Sequence, residues 1–235
     1  MINSIQTTTK PTTKWQVALF IIGIAVVAFL IFGQVNLGLG QLQNLGITVF
    51  IILLAVAERG KGVWRSLGMK KEYFKAKSLL VLAPVFTLLL LAGLQLLLYP
   101  LAGLLAGSPI DYSAFAVLEG NTAVLLVALP FAWVSAAFGE EILFRGYLMT
   151  RLQYLLGKGK AGVILSILIS STLFGFAHGY QGLSGQIFTG MVGLFLAITY
   201  QYRKQDLWFN IMVHGLIDTV SLTVFYFGWH HAIIG

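Results

Sequence analysis

Two adjacent carboxylates, Glu140 and Glu141, lie inside a long apolar stretch of the chain. An ionised carboxylate loses most of its hydration in such surroundings, so it requires a partner or a function. Glu141 has a local partner, because Arg145 follows four residues later and shares its face on a helix. Glu140 points about 100° away around that helix and has no such countercharge. The pattern predicts a structural Glu141–Arg145 pair and a general base at Glu140.

Two histidines lie in apolar segments that follow the glutamates. His178 ends one apolar segment, and His214 lies in the last one, with Asp218 one helical turn further on. Asn210 precedes His214 by one turn, so Asn210, His214 and Asp218 form a polar stripe on one helix face.

The sequence distances from the turn at Gly159 place Glu140 and His178 side by side. The two residues are equally far from Gly159, one before it and one after it, as in an antiparallel helical hairpin. His214 is only ~12 Å along a helix from its own turn. Glu140, His178 and His214 lie at the same depth in the membrane if the hairpin projects into the cytosol. This arrangement is favoured by the charges of Arg145, Arg151, Lys158 and Lys160.

Two carboxylates and two imidazoles at one level favour hydrolysis. In one chemistry, Glu140, His178 and His214 would bind a zinc ion that activates water. In the other, Glu140 and His178 activate water without a metal, while His214 and Asp218 stabilise the oxyanion. Proton-coupled transporters also use intramembrane Glu, His and Asp, so the residues by themselves leave hydrolase and transporter open.

The composition is that of a polytopic membrane protein. Of the 235 residues, 58% are hydrophobic and 10% are charged, against roughly 25% charged in soluble domains. There is no cysteine, which excludes disulfides, thiolate catalysis and cysteine zinc sites.

The apolar stretches predict an all-α transmembrane bundle of seven or eight helices in a single domain, 1–235. Seven spans are expected near 15–33, 40–57, 79–106, from 121 past the glutamates, 161–179, 185–202 and 207–228, with a short eighth helix over 228–235 left open. His230 and His231 follow Trp229 and are interpreted as interfacial.

The charge distribution predicts the orientation. The loop 58–77 is strongly basic, whereas the loop 107–121 has two acidic residues and no Lys or Arg. The positive-inside rule therefore places the tail 1–14 and the loop 58–77 in the cytoplasm, in a multi-pass protein of the plasma membrane. Aromatic residues among the basic ones suit an interfacial contact with lipids. The net charge of +7 is thus topological, and no nucleic-acid partner is expected.

Three motifs follow one another on separate predicted helices: Glu140-Glu141-x-x-x-Arg145, Phe174-x-x-x-His178 and His214-x-x-x-Asp218. In this order they resemble the motifs of the CPBP intramembrane proteases. That family includes the CAAX prenyl endopeptidases of the Ras-converting type and the bacterial Abi or bacteriocin-immunity proteins. The resemblance covers roughly 120–220, the expected catalytic core, and Ser66-Leu67-Gly68-Met69 is similar to a segment ahead of the family core.

The resemblance implies a CAAX-protease-like bundle whose site opens to the cytosol. Its activity would be endopeptidase cleavage near the cytoplasmic leaflet, on a peptide or membrane protein that is prenylated or plain. Glu140 and His178 would activate water, and His214 and Asp218 would assist at the scissile carbonyl or at a metal. Structural support would come from Glu141, Arg145, Phe174 and Asn210. Zinc and a metal-free glutamate mechanism both remain open.

Asp218 departs from the prenyl-protein branch of that family, which typically has Asn in this position. A neutral amide can donate a hydrogen bond to an oxyanion, whereas an ionised carboxylate only accepts. Asp218 is therefore expected to be protonated, to orient His214 or to help hold a metal. The same fold could also serve a non-enzymatic membrane immunity or partner-binding protein, which is the alternative to the protease.

Overall fold

The computed structural model describes residues 14–32, 41–157 and 159–234. Most of the predicted cytoplasmic tail, much of the link between the first two spans and Lys158 lie outside the described residues. The described part is helical and contains no strand, so the all-α prediction is confirmed. Its main helices are α1 Lys14–Phe32, α2 Gln41–Arg59, α3 Ser78–Ala106, α4 Thr122–Leu156, α5 Lys160–Phe176, α6 Gly182–Tyr202, α7 Leu207–Tyr226 and the short α8 His230–Ile234.

Four stretches of the described chain are long and apolar enough to cross a membrane: Ser78–Ala106, Thr122–Leu156, Gly179–Tyr202 and Leu207–Tyr226. Two further apolar stretches, Lys14–Phe29 within α1 and Lys160–Phe176, which is α5, are shorter. Each of the seven predicted spans coincides with a helix, and α8 supplies the short eighth one. The predicted membrane bundle is therefore confirmed.

Side-chain caps set the start of the two helices that carry the carboxylates and His214. The Asn121 side chain accepts a hydrogen bond from the amide of Val124 at 3.2 Å and begins α4. Asp206 accepts one from the amide of Phe209 at 3.2 Å and begins α7. Burial raises the pKa of Asp206, while this amide and the Arg203 guanidinium act in the opposite direction. The cap sets the residue at which α7 begins.

The middle of α4 is wound more widely than an α-helix. Along Ala132–Met149 its backbone follows the π pattern, in which hydrogen bonds join residues five apart. Such segments are rare and frequently occur at functional sites. Every residue from Glu141 to Met149 is buried, so this part of α4 lies in the interior of the bundle.

Arg151 and Glu58 form an ion pair that the sequence did not predict. Both side chains are buried and paired at 2.9 Å, and their expected place on the cytoplasmic side stays a prediction. The hydroxyl of Tyr147 also donates to Glu58, at 2.5 Å. The partners are far apart in sequence, so no local spacing indicates that these charges are neutralised inside the core.

The basic segment 60–77 folds into short helical turns that pack on the start of α7. The carbonyl of Gly68 accepts from the amide of Leu207 at 3.2 Å. At the other end of α7, the amide of Gly120 donates to the carbonyl of Tyr226 at 2.9 Å. The basic segment and the acidic loop 107–121 thus lie at opposite ends of α7.

Candidate active site

Glu141 is the hydrogen-bonding centre of the site. Its Oε1 accepts from Arg145 Nη1 at 2.9 Å and lies 3.0 Å from His214 Nδ1. Its Oε2 accepts from Asn210 Nδ2 at 3.1 Å. The second guanidinium nitrogen of Arg145 donates to the carbonyl of Gly193 at 3.0 Å. The Glu141–Arg145 pair that the spacing predicted is present, and it also joins α4 to α6 and α7.

Both imidazoles are held through Nδ1. His178 Nδ1 lies 2.8 Å from the carbonyl of Phe174, which can only accept, so this nitrogen carries the hydrogen. His214 Nδ1 likewise donates to the carboxylate of Glu141. Such contacts fix the tautomer and leave Nε2 of each ring for a ligand or a proton.

The Nε2 atom of His214 faces two carboxylates. It lies 3.9 Å from Glu140 Oε2 and 3.7 Å from Asp218 Oδ2. Both distances are too long for a hydrogen bond, and neither oxygen has a hydrogen-bond partner among the described residues. The side chains of Glu140 and Asp218 are 15% and 24% exposed. The lone pairs of Glu140, Asp218 and His214 would repel one another in this arrangement. The three groups therefore need a shared proton, a water or a cation between them.

Phe174 connects the second motif to the other two. Its ring centroid lies 4.8 Å from that of His178 and 6.0 Å from that of His214. The Arg145 guanidinium lies 4.4 Å from the same ring centroid. The fold therefore brings the motifs of α4, α5 and α7 together, with Glu140, His214 and Asp218 in direct proximity and His178 joined to them through Phe174.

The residue types around His214 are those that bind a metal, but their ligand atoms do not all converge on one position. Two unpartnered carboxylate oxygens face an imidazole whose far nitrogen is held by a carboxylate, as at many zinc sites. Among the described residues, however, the three metal-ligating groups whose ligand atoms all lie within 4.8 Å of one another are Glu119, His230 and His231. The metal set Glu140, His178, His214 and Asp218 stays a prediction.

Two glycines that are not among the predicted site residues, one on α6 and one on α7, allow these helices to pack closely against aromatic rings of α5 and α4. A Cβ at Gly193 would lie 2.9 Å from the Phe174 ring, and one at Gly215 would lie 2.5 Å from the Trp133 ring. Trp133 in turn donates from Nε1 to Thr219 of α7 at 3.1 Å. Gly215 directly follows His214 in the sequence, and this position is the feature from which its role could have been predicted.

The comparison with protein families concerns the part of the chain that carries the three motifs. A family model described as type II CAAX prenyl endopeptidase Rce1-like matches residues 122–220. The match begins at the first residue of α4 and ends within α7, so it contains all three motifs. No curated protein and no solved structure matches the chain. The match supports the CPBP/CAAX protease family for residues 122–220, as the motifs predicted, and with it a protease in general.

Proposed function

We propose that this protein is an intramembrane endopeptidase in which Glu140 activates the attacking water. The observation that carries the proposal is the arrangement of two unpartnered carboxylate oxygens, on Glu140 and Asp218, around Nε2 of His214. A water molecule held by these groups would have an acceptor for its proton and a neighbouring donor for the oxyanion. The match to the prenyl endopeptidase family gives the reaction class.

In the proposed reaction, the water oxygen attacks the scissile carbonyl carbon while Glu140 takes the water proton, assisted by Nε2 of His178. The imidazolium of His214 donates from Nε2 to the developing oxyanion, and the Asp218 carboxylate beside Nε2 stabilises the positive charge of that imidazolium. Collapse of the tetrahedral intermediate breaks the C–N bond, and the proton on Glu140 passes to the leaving amine.

Glu141 acts through His214. Its contact with Nδ1 directs Nε2 towards Glu140 and Asp218, so Glu141 is a positioning residue, held in turn by Arg145 and Asn210. In this proposal Glu141, and not Asp218, orients His214. If zinc is bound, Glu140, His178, His214 and Asp218 would hold it, and the ion would supply Lewis-acid activation of water.

The substrate in this proposal is a peptide or membrane protein, prenylated or plain, cleaved near the cytoplasmic leaflet of the plasma membrane. The test uses detergent-purified protein and quenched peptides in matched farnesylated and plain forms. Glu140→Gln is nearly isosteric, and we expect it to fold and to lower kcat/KM by at least about 100-fold, as for loss of a general base. Asp111→Asn, an exposed carboxylate in the loop 107–121, should leave turnover unchanged.

Chelation separates the two chemistries. Cleavage that survives chelator and disappears in Glu140→Gln supports a glutamate mechanism, whereas cleavage lost to chelator and restored by zinc supports the metal mechanism. Full turnover by Glu140→Gln would refute the proposal. If no peptide were cleaved, while Glu140→Gln and His178→Ala still protected cells from a bacteriocin, the function would be binding by the same fold.

A further inference from the structure

A second cluster of metal-ligating side chains lies at the other end of α7, where the loop before α4 meets the segment after α7. One ligand atom from each of Glu119, His230 and His231 lies within 4.8 Å of the other two. His231 Nε2 is 3.2 Å from Glu119 Oε2, and the two imidazole centroids are 3.9 Å apart. The glutamate and the histidines come from distant parts of the sequence, so tertiary structure alone assembles the cluster.

The backbone holds both halves of this cluster in place. The amide of Gly120 donates to the carbonyl of Tyr226 at 2.9 Å, which fixes the loop beside the end of α7. Gly228 has a φ of +68°, which favours glycine and turns the chain back towards Glu119. A Cβ at Gly228 would lie 2.9 Å from Glu119 Oε1. The glycine thus permits the carboxylate and the histidine pair to meet.

His230 is the least explained member of the cluster. Its Nδ1 is buried and has no hydrogen-bond partner among the described residues. Its ring centroid is 4.8 Å from that of Phe225, which holds the imidazole against the end of α7. Two imidazoles in contact repel each other if both are protonated, and beside a carboxylate they offer two nitrogen donors and one oxygen donor.

We propose that Glu119, His230 and His231 form a second metal site, which binds a divalent ion of the zinc type. Nitrogen donors favour Zn²⁺, Ni²⁺ or Cu²⁺ over Mg²⁺ and Ca²⁺, which prefer oxygen. Three protein ligands leave a fourth position for water. The ion would connect the segment before α4 to the segment after α7, and these two helices carry Glu140, His214 and Asp218. The site is separate from the candidate active site around His214 and does not depend on the proposed protease activity.

The test is zinc titration of the full chain by isothermal calorimetry, with protein purified in detergent without a polyhistidine tag. Wild type should bind one equivalent at this site, with a rise in thermal midpoint. Glu119→Gln and His231→Ala should each weaken that equivalent by at least about tenfold and remove most of the thermal shift. Both positions are exposed, so these variants should fold.

Glu140→Gln is the matched control, because it alters the candidate active site and leaves the cluster of Glu119, His230 and His231 intact. The Glu140→Gln chain should keep the zinc equivalent that Glu119→Gln loses. Unchanged zinc affinity in both Glu119→Gln and His231→Ala would overturn the proposal. Absence of any zinc binding by wild type would overturn it too, and would reduce the contact to a surface ion pair between His231 and Glu119.

Discussion

Glu141 is fully buried, yet both of its oxygens have partners from Arg145, His214 and Asn210. The neighbouring Glu140 is the opposite case, since its Oε2 is buried without a partner among the described residues. A carboxylate with three donors is a stable anion, whereas one without donors is available to a water or a proton. Two identical adjacent side chains therefore receive different environments, which is the physical basis for assigning one to positioning and the other to catalysis.

Arg145→Ala tests the cost of leaving Glu141 without its main countercharge. We expect the variant to lose on the order of 3–5 kcal/mol of stability, because a buried carboxylate loses its charged partner. The comparison is Arg65→Ala, which breaks an exposed pair with Glu72 and should cost at most about 1 kcal/mol. Thermal unfolding in detergent measures both. Equal stability of the two variants would mean that the Glu141–Arg145 pair contributes nothing structural.

At the scale of helices, the site depends on how closely α6 approaches α4 and α5. Gly193 of α6 accepts the hydrogen bond of Arg145 through its carbonyl and faces the Phe174 ring with its Cα. Phe174 in turn lies against the rings of His178 and His214. A change in the spacing of these helices should therefore displace the imidazoles of His178 and His214.

Gly193→Ala should move α6 away from Phe174, because the added methyl would lie 2.9 Å from the ring. We expect a loss of about 1–3 kcal/mol from overpacking together with reduced peptide cleavage. Gly93→Ala is the control in α3, where the new methyl meets no atom within 4 Å among the described residues. That change should be neutral or stabilising by up to about 1 kcal/mol. A Gly193→Ala enzyme with normal stability and turnover would contradict this account.

At the scale of the whole molecule, the family domain 122–220 is joined to helices outside it. Arg151 and Tyr147 of α4 both contact Glu58 of α2, and the guanidinium of Arg151 lies 5.4 Å from the ring of Phe20 in α1. These contacts neutralise the buried charge of Arg151. The first two helices are therefore part of the folded unit that carries the site.

The orientation of this unit in the membrane gives a prediction that the natural absence of cysteine makes simple to test. Lys71 and Asp111 are both exposed, in segments that contact opposite ends of α7. The positive-inside rule predicts that Asp111→Cys reacts with an impermeant maleimide in intact cells. Lys71→Cys should react only after permeabilisation. The reverse labelling pattern would invert the predicted topology.

The sequence by itself determined the helical membrane class, because apolar length and sparse charge leave few other solutions. It also determined the Glu141–Arg145 contact, since residues four apart meet on one helix face without help from the rest of the chain. The three motifs were sufficient to predict the family of residues 122–220, because their order along the chain is itself a sequence property.

Only the tertiary structure decided which groups meet across helices. The contact of Glu141 with His214, the burial of Arg151 against Glu58 and the meeting of Glu119 with His231 all join residues that are far apart in sequence. Spacing and hydropathy describe one helix at a time, so they report neither the rotation of a helix nor its neighbours. For this reason the sequence did not predict the buried pair of Arg151 and Glu58, and it placed His230 and His231, which are candidate ligands, at the membrane interface.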